Sequence, residues 1–122
     1  MKIAVYGTLK KNNHNHRFLA GSKYIGNAEI TGYDMYCIGT MKYGMGYPYL
    51  VPSDSKELIE VEVYEIGSYV YNTIKVIETG YDEQIILVKV GDVEHVCIIY
   101  VALEDTFRFD REKRITHWDG SQ

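Results

Sequence analysis

From Leu58 to Ile66 the chain alternates residue by residue: Leu58, Glu60, Glu62 and Tyr64 fall on one side, and Ile59, Val61, Val63 and Glu65 on the other. A period of two marks a β-strand with one mainly apolar face, and such a face must be covered by other strands or helices. The same sequence supplies those partners. Ile3 to Tyr6 reads as a short buried strand that stops at Gly7, Lys23 to Ile30 as a strand with glycines for bends, and Gly32 to Ile38 as another. Tyr49 to Val51 is a short strand closed by Pro52-Ser53-Asp54, while Ile85 to Val90 and Val93 to Leu103 flank Gly91-Asp92 as a hairpin. Only Tyr69 to Ile77 spaces its apolar residues as a helix does, with Gly80 placed to end it. A helical turn through Phe18 and Leu19 closes the polar stretch from Lys10 to Arg17. The strands follow one another too closely for repeated parallel crossovers. The expected class is α+β, a curved sheet or small mixed β-barrel flanked by a few helices.

The chain has 122 residues, which predicts a single domain over 1–122. Its 13 Lys+Arg against 17 Asp+Glu give a net charge of −4, so no chain-wide field favours nucleic acid. Lys10, Lys11 and Arg17 lie close in sequence and could form a local basic patch. No apolar run approaches the ~20 residues of a membrane helix. Met1-Lys2-Ile3 leads straight into strand-like sequence, which predicts no signal peptide and a soluble cytoplasmic protein. Cys37 and Cys97 lie far apart without metal-ligand spacing and are expected as buried free thiols, Cys97 with His95 on the same strand. The 12 tyrosines suit strands and half-buried edges.

Four places carry candidate chemistry. The strand exit Tyr6-Gly7-Thr8-Leu9 turns sharply at a glycine and exposes successive N–H groups to an anionic or carbonyl ligand. The glycine-rich stretch from Gly39 to Gly46 permits close backbone approach and leaves through Tyr47-Pro48. Glu78 follows Val76-Ile77 at the end of the candidate helix, where apolar neighbours and the negative end of the helix dipole both raise a carboxyl pKa. That position suits it to general acid–base work. His14-Asn15-His16 lacks the further ligands a metal site needs and is expected as a solvated loop. No phosphate-binding loop, dinucleotide fingerprint or Gly-x-Ser-x-Gly elbow occurs.

Taken in order, these elements resemble the gamma-glutamylcyclotransferase-like family. The resemblance rests on Val5-Tyr6-Gly7-Thr8-Leu9, Asn15-His16-Arg17-Phe18-Leu19, Gly26, Gly32-Tyr33, Gly46-Tyr47-Pro48, Leu50-Val51-Pro52, Val61-Glu62-Val63-Tyr64-Glu65 and Ile77-Glu78. It covers the first 80 or so residues well and the later hairpin more loosely. It implies a small β-barrel flanked by helices with a cavity at one end. It also implies a small gamma-glutamyl substrate, held by Tyr6, Gly7, Thr8 and Leu9 with Tyr47 beside them, and Glu78 as the acid–base catalyst. The implied reaction is closure of 5-oxoproline by the substrate's own α-amine, which calls for neither metal nor organic cofactor. The chain departs from the family pattern at Ile74-Lys75, where Leu-Asp is common, and has no clear Tyr-x-Arg match within Tyr81-Asp82-Glu83-Gln84.

Two other readings stand beside the enzyme. One is a binding module that keeps the cavity and uses it to hold a small ligand or a partner's peptide, suggested by Lys75 and the absent Tyr-x-Arg element. The other is a nucleic-acid contact through Lys10, Lys11 and Arg17, which the net negative charge disfavours. The sequence gives no oligomeric state.

Overall fold

The computed structural model describes residues 1–38, 47–102 and 114–115, with only the backbone described at 38, 47, 114 and 115. Eight strands occur among them: β1 (Lys2–Val5), β2 (Lys23–Ile30), β3 (Tyr33–Ile38), β4 (Tyr47–Pro52), β5 (Ile59–Glu65), β6 (Asp82–Val90), β7 (Val93–Val101) and β8 (Arg114–Ile115). One α-helix, α1 (Ser68–Ile77), and a 3-10 helical turn (His16–Leu19) complete the described elements. The stretch from Gly39 to Gly46, expected as a loop, lies outside the described residues, as do residues 103–113 and 116–122.

Five strands form one sheet in the order β2-β5-β1-β7-β6, and β4-β3-β8 form another. All pairings are antiparallel except that of β1 with β7, which is parallel. The sheets curl into a half-barrel of mixed pairing. Two contacts enforce the curl. The Ala102 N–H donates to the Leu50 carbonyl at 2.7 Å, joining the end of β7 to β4. Gly26 of β2 brings its backbone so close to β6 that a Cβ there would stand 2.5 Å from Val90 Cγ1.

Burial explains the sequence pattern strand by strand. The barrel interior takes Ala4, Tyr6, Ala28, Ile30, Met35, Leu50, Ile59, Val61, Val63, Cys97 and Ile99. The outer face of β1 and β7 is also covered, because Ile3, Val5, Ile98 and Tyr100 pack there with Leu9, Leu19 and Ile74. β1 therefore reads as a continuous apolar run rather than an alternating one, as expected of a strand buried on both faces. Both cysteines are free and buried.

α1 is a weak helix by composition, since Val70, Thr73, Ile74, Val76 and Ile77 are β-branched. Its N-cap is Gly67, without a side-chain cap. What holds it is one stripe, with Ile74 fully buried and Val70 and Tyr71 packed beside it. The stripe ends at Glu78, the C-cap residue, and Gly80 at φ +99° turns the chain back towards β6.

Gly26→Ala should destabilise the protein by about 1–3 kcal/mol in denaturant unfolding, through overpacking against Val90 and a backbone at φ +156°. Adding Val90→Ala should recover the steric part, so the pair should cost less than the sum of the single changes.

Candidate active site

The parallel pairing of β1 with β7 sets Tyr6 at the inner end of the half-barrel. Tyr6 is buried and donates its hydroxyl proton to the Tyr100 carbonyl at 2.6 Å. Burial raises its pKa well above the usual tyrosine value, and the neighbouring Glu78, Tyr81 and Tyr33 push in the same direction. A backbone hydrogen bond from Leu50 opposes them. This phenol stays neutral and works as a donor.

The chain then turns at Gly7. A Cβ at Gly7 would stand 2.6 Å from Pro48 Cγ, so the strand exit and the Tyr47-Pro48 element meet, and only glycine fits between them. Tyr47 pairs with Ile38 in the β3–β4 ladder, and its backbone alone is described. Beyond Gly7 the loop is pinned from outside. Lys10 N–H donates back to the Gly7 carbonyl at 2.9 Å, and Asn15 donates to Thr8 through both its backbone (3.1 Å) and its side-chain amide (2.9 Å). His16 Nδ1 bonds the Leu9 carbonyl at 2.9 Å. Glu62, on the other face of β5, is buried and accepts the Lys11 N–H at 2.8 Å and the Tyr64 hydroxyl at 2.9 Å. Among the described residues no acceptor takes the N–H of Thr8 or Leu9, which leaves both available to an anion or a carbonyl oxygen.

Glu78 lies at the C-terminus of α1, close enough to interact with Tyr6 and Tyr100. Among the described residues no hydrogen bond reaches its carboxylate. Withdrawal from water pushes its pKa from the ordinary 4.5 up to about 7. The sequence reading anticipated that direction, with burial as the operative cause. A carboxyl titrating near neutrality can both accept and return a proton, which is what general acid–base chemistry requires.

The strand exit, the Tyr-Pro element and the glutamate are thus gathered at one end of the half-barrel. Other sequence candidates fall elsewhere. Cys97 is buried in the barrel wall with its pKa raised by burial, an inert thiol rather than a nucleophile. Lys10 is 4% exposed and pairs with Glu60 at 3.7 Å, so the cluster of basic residues is not a continuous surface patch. His14 is exposed as expected, but its neighbour His16 braces the loop at Leu9 rather than lying free in solvent. No group of three or more His, Cys, Asp or Glu among the described residues is arranged to hold a metal ion. No described helix is long and apolar enough to cross a membrane. A separate open cleft of about 380 Å3 lies between the end of β2 and β6, lined by Glu29 to Tyr33, Pro52, Ile86, Leu87 and Lys89.

The profile of the family described as "Gamma-glutamyl cyclotransferase, AIG2-like" matches residues 3–120. The chain belongs to this family. A curated relative named "Putative gamma-glutamylcyclotransferase PH0828", from Pyrococcus horikoshii, is 39% identical over 80 residues, 66% of this chain and 61% of that protein. The crystal structure of PH0828 superposes with a TM-score of 0.70 at 30% identity, covering 95% of this chain and 86% of that one. YkqA from Bacillus subtilis gives 0.74 at 26% identity, covering 96% of this chain but 39% of that protein. An AIG2-like protein from Mus musculus shares the fold at 0.71 and 20% identity, over 83% of this chain and 76% of that one.

Sequence reasoning passed over Glu62, Asn15 and His16 as residues that brace the strand exit. Asn15 and His16 carried a signal in the motif that follows Tyr-Gly-Thr-Leu. Glu62 carried one in the Val61-Glu62-Val63-Tyr64-Glu65 segment, but nothing there names the Lys11 N–H as its partner.

A raised carboxyl pKa has a stability cost with a defined sign. The folded protein binds the Glu78 proton up to about pH 7, whereas the unfolded chain releases it near 4.5, so stability falls as pH rises between these values. Glu78→Gln should therefore raise the unfolding free energy at pH 8 by about 1–3 kcal/mol and leave it nearly unchanged at pH 4, as read by denaturant titration at both pH values.

Proposed function

We propose that this protein is a gamma-glutamyl cyclotransferase that releases 5-oxoproline from a gamma-glutamyl amine, amino acid or isopeptide. The observation that carries the reading is Glu78: a carboxyl titrating near neutrality, beside Tyr6 and at the same end of the half-barrel as the open Thr8 and Leu9 N–H groups. Family membership and the name borne by PH0828 support the same activity.

The nucleophile is the substrate's own α-nitrogen, so the protein's work is to fold the glutamyl chain and to move protons. The α-nitrogen bonds to the γ-carbon while the bond from that carbon to the leaving nitrogen breaks. Across the reaction the α-nitrogen loses two protons in passing from ammonium to lactam, and the departing amine gains two. Glu78 takes a proton from the attacking nitrogen and returns one to the leaving nitrogen. The N–H groups of Thr8 and Leu9 hold the α-carboxylate or the oxyanion that develops at the γ-carbonyl. Gly7 lets that backbone approach closely, and the Tyr6 hydroxyl stays protonated beside it. No atom changes oxidation state, so the reaction requires no electron carrier.

The test is 5-oxoproline release from a panel of gamma-glutamyl amines, amino acids and isopeptides, with Glu78→Gln alongside. The wild type should turn over at least one class, and the variant should lose about 10²–10⁴-fold in kcat while remaining folded. For the wild type, kcat/KM should rise with pH through about 7 as Glu78 loses its proton and becomes able to accept one. Full turnover by Glu78→Gln would end the assignment of that residue, and silence from folded wild type across the panel would end the assignment of the reaction.

A further inference from the structure

Glu83 accepts hydrogen bonds from two tyrosines that belong to different elements. Its Oε1 takes the Tyr100 hydroxyl at 2.7 Å and the Tyr71 hydroxyl at 2.9 Å, and its Oε2 lies 3.0 Å from the same Tyr71 hydroxyl. The placement follows from register, because Glu83 of β6 stands directly opposite Tyr100 of β7. Tyr71 lies on α1 two turns before Glu78, so the two share a helix face. Tyr100 in turn receives the Tyr6 hydroxyl on its own carbonyl. A continuous chain of bonds therefore runs from the strand exit through Tyr100 and Glu83 to Tyr71 on the helix that ends at Glu78.

This matters because α1 has little else to fix it: a β-branched sequence, an N-cap without a side chain, and Ile74 as its one fully buried residue. We propose that Glu83 is a positioning residue for Glu78, its carboxylate clamping Tyr71 to Tyr100 and so holding the end of α1 against Tyr6. The proposal rests on the reading of Glu78 as the proton-transfer group, which Glu83 serves without touching substrate. Hydrogen bonds to a carboxylate are the strong kind, so one exposed glutamate can hold two phenols. Several titratable groups surround Glu78. Tyr6, just past the end of β1, and Tyr100 of β7 face it, and Tyr81 follows it in the chain. Lys75 sits one turn back over the Tyr71 ring at 5.3 Å. The 3-10 turn packed on α1 carries His16 and Arg17, and Glu83 reaches α1 from β6 through Tyr71.

The test follows the Glu78 carboxyl by 13C NMR titration, assigned with Glu78→Gln, in the wild type, Glu83→Ala, Glu83→Gln and Tyr71→Phe. Losing the clamp should let water reach the end of α1. Glu78 in Glu83→Ala should then titrate at least one pH unit lower than in the wild type, and the rise of kcat/KM with pH should move down with it. Glu83→Gln removes the charge but keeps an acceptor oxygen, so it should titrate as the wild type does. A Glu78 titration that stays in place in folded Glu83→Ala, or that moves equally in the Gln and Ala variants, would overturn the proposal. Should Glu83→Ala fail to fold, Tyr71→Phe removes one hydroxyl only and decides the same question by the same shift. The titration needs no turnover. A shift in Glu83→Ala from a protein that makes no 5-oxoproline would sustain the clamp while refuting the activity.

Discussion

The parallel pairing of β1 with β7 organises the molecule. With β5 on its other side, β1 sits in the middle of the larger sheet, buried on both faces, and its only way out is the turn at Gly7. That one exit sets Tyr6 against the Tyr100 carbonyl, brings Gly7 against Pro48, and aims the next peptide groups at the end of the half-barrel. The hydrogen bonds from Lys10, Asn15 and His16 fix the loop only because the strand behind it cannot shift. Had β1 been an edge strand, the same residues would have made a loop without a fixed target.

Around this exit the carboxylates divide by the donors that reach them. On the outer face, Glu62 and Glu83 are carboxylates with phenolic or peptide donors, and each ties one element to another. Glu78, half-buried at the end of α1, has no such donor among the described residues and lies near the Tyr6 and Tyr100 phenols. Two of these glutamates thus act as fasteners, the third is the one to which the proposed reaction assigns proton transfer, and the difference lies in whether donors reach them. A carboxylate that is hydrogen-bonded favours its charged form, and one that is merely desolvated holds its proton longer.

Much of this was legible in the residues. The strand from Ile59 to Glu65, the helix ending at Ile77 and the Gly91 hairpin all announced themselves through local periodicity and turn chemistry, which depend on neighbours in sequence. The upward push on the Glu78 carboxyl was also visible, because a carboxyl closing an apolar helix stripe has few ways to stay solvated. What stayed hidden depends on partners far along the chain. Nothing near Glu62 says that the Lys11 N–H will come to it, and nothing near Glu83 says that it will stand opposite Tyr100. Lys10 is the sharpest case, since by sequence it belongs to a basic cluster, yet it is buried and paired with Glu60. Register decides such contacts, and a one-residue slip would undo each of them.

The central place of β1 also has a kinetic side. Its two neighbours in the sheet are β5 and β7, so a strand made at residues 2–5 waits for partners at 59–65 and 93–101. Pairings of such long sequence separation close large loops before any contact rewards them, which slows folding. As the chain leaves the ribosome, β2 and β5 can zip together early, while Ile3 and Val5 lack half of their cover until β7 emerges. The residues at the β1 exit that the proposed reaction needs are thus made before β7 and fully held only once it pairs.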